Sequence, residues 1–371
     1  MMIAPPPMPD TRPRPVIRRR MNREQGASRY GRMNNWVGFF LMGLVVISAV
    51  PVASNRPSWW LLWTMILGGV GIFYVLRAQF LMGNRRVFQS SQYQMFLSLA
   101  FIVPVYAVIQ ALPLADVLPN ALLHLPVGIP TGITPHSISV MPNASVLGAL
   151  RAMGFILFLI LTLEVGTKAD RNHSLGFWLM IGILAHGLFG MIALKFLDDF
   201  SLWGVKDTYF DVLTGTFVNR NSIATFLGFG LILGVSYALE RGAKAALAEK
   251  DRGYATLLTP VRIEIVSFWL VVIILAFAII LTQSRMGAFA TFLGAYTTFL
   301  TARLISKAPM GKIFFESILG IGVIATFLIP AAGSGVVERA LFTLVESNDR
   351  VSIYTQTWGM IQDRPWTGFE I

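Results

Sequence analysis

The chain has 371 residues, of which 55% are hydrophobic and 13% charged, and its mean hydropathy of +0.64 excludes an ordinary soluble globular protein. It contains no cysteine, which excludes disulfides and thiolate-based metal or redox chemistry. Much of the net charge of +11 lies in the N-terminal tail and in short loops between apolar runs, so it indicates membrane topology and not nucleic-acid binding.

The N-terminal tail, residues 1–35, is rich in proline and arginine and has no apolar periodicity. We predict that it is a disordered basic segment. Its many arginines, from Arg12 to Arg32, place the N-terminus in the cytoplasm. The apolar run that follows is long and has a long basic lead, so we interpret it as an uncleaved anchor and not as a signal peptide.

Residues 36–333 are predicted to form an all-α, polytopic membrane helix bundle. A membrane span needs about 20 mostly apolar residues. The chain has nine such runs: Trp36–Val52, Trp59–Phe80, Tyr93–Leu112, Val146–Val165, Leu175–Phe196, Ser222–Leu239, Ile263–Leu281, Met286–Ile305 and Ile313–Ile329. Lysine and arginine are concentrated in every second loop, which places those loops in the cytoplasm. Alternation then places Arg220, Arg285 and the residues after the ninth span on the outer face.

Two arginines lie where a charge without a local counter-ion is costly. Arg220 opens the predicted sixth span within Asn219–Ser222, a run of good N-cap residues, so a guanidinium and a helix N-terminus would form one anion site. Arg285 lies in the short turn Thr282–Arg285 between two apolar runs. We predict that both guanidinium groups bind a diphosphate. The alternatives are a capped helix with an incidental arginine, and an arginine that extends to lipid headgroups.

Other polar or small residues in the spans suggest further roles. Arg151, near the outer end of the fourth span, is a weaker candidate for the same outer pocket. His186 lies in the middle of the fifth span, where we favour a hydrogen bond to a neighbouring helix over proton transfer. Gly228, Gly230 and Gly234 give the sixth span a small face, which favours close helix packing.

The predicted outer loop Leu197–Asn219 combines aspartates with aromatic residues. This composition fits either a sugar-binding or interfacial helix, or a solvated loop whose aromatic rings rest on the bilayer. Acids near the span ends, such as Glu164, Glu264 and Glu316, are expected to pair with cations or to extend toward water. The four histidines show no metal-ligand spacing, so we expect neither a metal ion nor a cofactor.

Residues 334–371 are predicted to begin an outer loop that contains an amphipathic helix. Ser347 is a suitable N-cap. Apolar side chains recur at helical spacing from Val351 to Ile361, and Arg350 lies in the first turn.

The order of these motifs resembles the O-antigen ligase and polymerase family, which includes exopolysaccharide polymerases. The resemblance runs from about Phe217 to the C-terminus. It consists of Arg-Asn at the start of a span, a Thr-x-Ser-Arg-x-Gly turn at 282–287, Asn-x-Arg at 348–350 and Asp-Arg-Pro-x-x-Gly at 363–368. It implies a GT-C-like glycosyltransferase of the bacterial inner membrane. Such an enzyme transfers a polyprenyl-diphosphate-linked glycan to a lipid or glycan acceptor on the periplasmic face, without a metal.

By the same resemblance, Arg220 and Arg285 would hold the diphosphate, and Arg350 would line the same pocket. Family members continue into a larger periplasmic loop with a histidine that resembles a general base, and no outer-loop histidine follows Arg350 here. We therefore assign no catalytic residue and expect a C-terminally truncated member, or an inactive fragment of the enzyme. The rival interpretation is a non-enzymatic transporter or flippase of lipid-linked glycans, which predicts an inverted repeat or broken helices.

Overall fold

The computed structural model describes residues 15–82, 88–118, 136–139, 141–202, 206, 208–252, 260–306, 309–311, 313–318, 320, 322 and 351–362. In this part of the chain there are eight long helices and no strand. The helices are α1 (Pro15–Ser48), α2 (Pro57–Met82), α3 (Gln94–Ala111), α4 (Pro142–Val165), α5 (Ala169–Phe196), α6 (Arg220–Arg252), α7 (Pro260–Leu281) and α8 (Arg285–Ile305). Short 3-10 turns cover Val52–Ser54, Gln89–Tyr93 and Leu114–Asp116. The predicted all-α membrane helix bundle is confirmed.

Within the described residues, seven helices are long and apolar enough to cross a membrane, namely α2 to α8. They match seven of the nine predicted spans. The predicted first span, Trp36–Val52, forms the last part of α1, which ends at Ser48 because the chain then turns through three residues with positive φ, Val52 to Ser54. Most of the predicted ninth span, Ile313–Ile329, lies outside the described residues. The count of nine and the GT-C-like arrangement stay predictions.

Helix α1 differs from the sequence-based expectation because it begins at Pro15, inside the tail for which we predicted disorder up to residue 35. Its last predicted tail residues are held by tertiary contacts with α2. The hydroxyls of Tyr30 and Tyr74 lie 2.9 Å apart, and Tyr74 donates a hydrogen bond of 3.1 Å to Asn34 Oδ1. Met33 and Asn34 are buried. Composition alone does not reveal such contacts, which explains why the charged segment looked disordered.

The helices form two groups that are joined through α1. Helices α1, α2 and α4 enclose an apolar core around Leu41, Leu67 and Leu161, and α3 packs against α4. Helices α5 to α8 enclose a second core around Leu227 and Leu275. Helix α1 also contacts α5. Helix α6 is the most enclosed membrane helix, with 56% of its apolar window buried against 33% or less in the others, and it contacts α5, α7 and α8. Contacts with these three helices therefore fix the position of α6 and of the residues at its start.

The glycine face of α6 packs against its neighbours as predicted. A Cβ added to Gly230 would lie 2.6 Å from Ile183 Cγ2 of α5, and one added to Gly234 would lie 2.9 Å from Val272 Cγ2 of α7. Real Cβ atoms do not approach other atoms that closely, so larger residues would push the helices apart. These two glycines have a role in helix packing.

Candidate functional site

Helices α6 and α8 lie side by side and run in the same direction. Asn221 contacts Ser284, Ala224 contacts Gly287 and Gly228 contacts Thr291, and each pair is separated by the same 63 residues. A constant offset means that both helices advance together, since an antiparallel pair would show a constant sum of residue numbers. The N-termini of α6 and α8 are therefore adjacent, and we call this end of the bundle the arginine end.

The two helix starts are capped, and their caps are linked. Ser284 Oγ accepts a hydrogen bond from Gly287 N (3.2 Å) and donates one to Asn221 Oδ1 (2.7 Å). Asn219 Oδ1 accepts a hydrogen bond from Asn221 N (2.7 Å) at the start of α6. Of the predicted cap residues, Asn219 performs that role and Asn221 joins the two helices, whereas the cap of α8, Ser284, was not predicted. Two parallel helix N-termini at one place add their positive dipole ends.

Arg220 and Arg285 are the first residues of these two helices, and each is the sequence neighbour of one partner in the Asn221–Ser284 hydrogen bond. The Arg220 guanidinium lies over the ring of Tyr209, 5.3 Å from its centroid, and Arg285 is exposed. Within the described residues, neither guanidinium forms an ion pair. The arginine end therefore combines two helix N-termini with two arginines that form no ion pair in the described part of the chain, and such an arrangement can bind anions.

The loop before α6 is ordered by an ion pair. Lys206 Nζ lies 2.6 Å from Asp199 Oδ2 and donates a hydrogen bond of 2.8 Å to the Val212 carbonyl, and Asp211 N donates one of 3.1 Å to Asp199 Oδ2. The described residues between Leu197 and Asn219 form turns and no long helix. Asp199 is therefore engaged by Lys206, and among the described residues it forms no ion pair with Arg220.

Residues 212–216 of this loop lie inside the bundle, and Leu213 is fully buried. The Leu213 N–H donates a hydrogen bond of 3.0 Å to the Leu281 carbonyl of α7. Gly215 has a φ of +55° and lies against Gly190 of α5, a close approach that glycine allows without strain. The loop thereby fixes the position of Tyr209 and of the start of α6 relative to α5 and α7.

His186 joins this loop to α1. Its Nε2 lies 3.0 Å from the Val46 carbonyl, and its Nδ1 lies 3.1 Å from Thr216 Oγ1. A carbonyl only accepts, so Nε2 carries a proton, and Nδ1 of the neutral ring accepts from the Thr216 hydroxyl. The expected hydrogen bond to a neighbouring helix is confirmed, and both ring nitrogens are engaged in structural contacts. The same contacts place the C-terminal end of α1 at the arginine end.

Arg151 lies apart from the two helix starts. Its guanidinium is 5.8 Å from the ring centroids of Trp60 and Phe155, on the α2–α4 side of the molecule. Trp60 belongs to the first turn of α2, which follows the end of α1 and thus also lies at the arginine end. Arg151 is exposed, and it provides a matched control for the arginines of α6 and α8.

Arg350, the third predicted site residue, lies outside the described residues. The helix predicted to follow it is present at 351–362, and its Val351, Tyr354 and Trp358 side chains are exposed. Elsewhere, Glu264 pairs with Arg241 and Glu316 with Arg303, as expected. Glu164 is buried and accepts hydrogen bonds from Ser90. In the described residues, no group of three or more histidine or acidic side chains is arranged to hold a metal ion.

We expect Ser284→Ala to lower the free energy of unfolding by about 1–2 kcal/mol, because it removes a helix cap and an interhelical hydrogen bond. Thermal unfolding in detergent, followed by tryptophan fluorescence, measures this loss. The matched control is Ser267→Ala in α7, whose exposed hydroxyl donates a hydrogen bond to the Ile263 carbonyl of its own helix. Equal stability losses in the two variants would contradict the link between the helix starts.

Comparisons of the chain with protein families, with curated proteins and with solved structures give no match. The resemblance to O-antigen ligases and polymerases therefore depends on the motifs between Phe217 and the C-terminus alone.

Sequence reasoning identified Arg220 and Arg285 but missed the contacts that bring them together. The signal was the four-residue spacing of small side chains in both helices, from Ala224 to Gly228 and from Gly287 to Thr291. Two helices that carry small residues at the same spacing can pack closely in a parallel orientation. No comparable pattern in the sequence indicates the ion pair between Asp199 and Lys206, because that contact depends on how the loop folds back on itself.

Proposed function

We propose that the chain is a membrane glycosyltransferase of the O-antigen ligase or polymerase type. It takes a glycan from a polyprenyl-diphosphate carrier at the outer face of the bacterial inner membrane and transfers it to a lipid or glycan acceptor. The observation that carries this proposal is the side-by-side start of α6 and α8, which brings Arg220 and Arg285 to one end of the bundle.

The chemistry of the carrier fits this arrangement. A polyprenyl chain stays in the bilayer, so its diphosphate lies at the membrane surface, close to the ends of membrane helices. Arginine binds phosphate oxygens in a bidentate manner and keeps its charge under all relevant conditions. When the bond between the sugar and the diphosphate breaks, negative charge develops on the leaving oxygen. Arg220 and Arg285 would stabilise that charge together with the helix N-termini.

The acceptor hydroxyl also needs a general base in this chemistry. No residue of the chain is assigned to that role, so the proposal places donor binding and leaving-group stabilisation on Arg220 and Arg285. Arg350, which the resemblance places in the same pocket, would add a third cation to the leaving group.

Glycan release in proteoliposomes tests the proposal. The chain is reconstituted with a polyprenyl-diphosphate-linked oligosaccharide and an acceptor glycan in the presence of EDTA, and free polyprenyl diphosphate is measured by mass spectrometry. We expect release in the parent protein and at least a hundredfold slower release in Arg220→Ala and Arg285→Ala, because each removes charge stabilisation worth about 3 kcal/mol in the transition state.

Arg151→Ala, an exposed arginine at the same end of the bundle, serves as the control and should keep the parent rate. Translocation of the intact lipid-linked oligosaccharide without release would favour a transporter over an enzyme. Release that is unaffected by both arginine variants would contradict the proposed site.

A further inference from the structure

A polar pocket of about 400 Å³ lies between α1 and the start of α5. Helix α1 contributes Arg32, Asn35 and Phe39, and the other wall includes Lys168, Asp170 and Arg171. Arg171 lies 15 residues before His186 on α5, which is about 22 Å along a helix that rises 1.5 Å per residue. Because His186 lies near the arginine end, this pocket is at the opposite end of the bundle.

Arg171 forms the floor of the pocket and is fixed by neutral acceptors. Only 6% of its surface is exposed. Its Nε donates to the Val165 carbonyl (2.5 Å), Nη1 to Asn35 Oδ1 (3.0 Å) and Nη2 to Thr167 Oγ1 (3.1 Å). These contacts orient the guanidinium without neutralising it. A buried charge that only neutral groups contact is costly unless an anion compensates it.

Two further cations border the same pocket. Lys168 reaches across to α1, where its Nζ would lie 4.0 Å from a Cβ added to Gly31, and Arg32 is exposed on α1. Within the described residues, none of Arg32, Lys168 and Arg171 forms an ion pair. With Asp170 as the acid in its lining, the pocket keeps a net charge of about +2 at neutral pH.

Three other cations at this end of the bundle are paired with carboxylates. Lys244 lies 2.5 Å from Glu240, Arg241 lies 3.0 Å from Glu264, and Arg303 pairs with Glu316. These residues show that the chain supplies carboxylates to its cations where α6 to α8 end or begin. The three cations between α1 and α5 lack such partners among the described residues, so an anion from outside the chain would complete the pocket.

We propose that this pocket binds the headgroup of an anionic phospholipid. A phosphodiester would accept hydrogen bonds from Arg171, Lys168 and Arg32, as basic pockets between membrane helices do. Phe39, 37% exposed, lines the same pocket on α1 and offers an apolar surface to the start of an acyl chain. The membrane therefore supplies the compensating anion, at the face that the charge bias of the loops assigns to the cytoplasm. This inference does not rest on the proposed donor site.

Native mass spectrometry of the detergent-purified chain tests the proposal by measuring the Kd of the first bound lipid. The probes are phosphatidylglycerol, phosphatidylcholine with the same acyl chains, and inorganic phosphate. We expect phosphatidylglycerol to bind at least tenfold more tightly than phosphatidylcholine. Arg32→Gln/Lys168→Gln should weaken phosphatidylglycerol binding about 30-fold, and Lys168→Gln alone about fivefold, as expected for two lost charges and one at a membrane surface.

The matched control is Arg77→Gln/Lys244→Gln, which removes two exposed cations from the same end of the bundle but outside the pocket and should change affinity less than twofold. Lys168 is exposed and makes no ion pair within the described residues, so its single variant should unfold at the parent's temperature and keep the test valid. Equal binding of the two lipids, equal losses in the pocket and control variants, or inorganic phosphate binding as tightly as phosphatidylglycerol would overturn the proposal.

Discussion

Replacement of Arg285 by alanine is expected to weaken binding of a polyprenyl diphosphate about a hundredfold, and Arg220→Ala should have a similar effect. Each guanidinium makes charge-assisted hydrogen bonds to the diphosphate, and a loss of about 2.7 kcal/mol corresponds to that factor. Arg220 and Arg285 start two different helices, and each guanidinium would make its own hydrogen bonds to the diphosphate. The arginine that remains in a single variant therefore cannot replace the hydrogen bonds of the one that is removed. Microscale thermophoresis with the chain in lipid nanodiscs measures the affinities.

Two variants make this result specific. Arg285→Lys keeps the charge but loses the bidentate geometry, so it should recover only part of the affinity, about tenfold relative to alanine. Arg151→Ala removes an exposed arginine that lies over Trp60, also at the arginine end, and should bind like the parent within a factor of two. Equal affinities in the parent, Arg285→Ala and Arg285→Lys would remove Arg285 from the donor site.

Gly228→Ala is expected to lower the free energy of unfolding by about 2–3 kcal/mol, because it overpacks the contact between α6 and α8. The new Cβ would lie 2.3 Å from Thr291 Oγ1 and 3.4 Å from Thr291 Cβ. The second distance is an ordinary contact, so removal of the hydroxyl should relieve the clash. We therefore expect Gly228→Ala/Thr291→Ala to regain most of the loss, whereas Thr291→Ala alone should cost less than about 1 kcal/mol. Thermal unfolding of the four proteins gives the coupling energy.

Gly69→Ala is the control for the backbone effect of replacing a helical glycine. It lies on the exposed side of α2 with no atom within 4 Å of the added Cβ, and it should leave stability unchanged or raise it by about 0.5–1 kcal/mol. Because Gly228 lies two turns from Arg220, the clash should also weaken donor binding, and the double variant should restore it. A Gly228→Ala variant as stable as Gly69→Ala would contradict the parallel pairing of α6 and α8.

The membrane fold could be predicted because each membrane helix depends on the hydrophobicity of its own stretch of sequence. A stretch of about 20 apolar residues has few alternatives to a membrane helix, and α7 and α8 begin within three residues of the predicted spans. The tail was harder, because the helix from Pro15 gains its partners Tyr74 and Arg171 from distant parts of the chain. A window of residues that is read alone contains no information about such contacts.

The candidate site was predictable in its residues but not in its geometry. Arg220 and Arg285 attract notice because each is an arginine beside an apolar run without a nearby acid. That they start neighbouring parallel helices follows from the hydrogen bond between Asn221 and Ser284, which joins positions 63 residues apart. The pocket at Arg171 escaped prediction for the same reason, since a lysine and arginines near span ends look like ordinary topology signals until α1 and α5 are seen to enclose them.

A structure of the chain in a lipid nanodisc with bound polyprenyl diphosphate, determined by cryo-electron microscopy, tests the central claim most directly. The account predicts density for the diphosphate at the starts of α6 and α8, within hydrogen-bonding distance of both Arg220 and Arg285. Diphosphate density elsewhere, for example beside Arg151 and Trp60, would contradict the claim, and so would a bound diphosphate that contacts neither of the two helix starts.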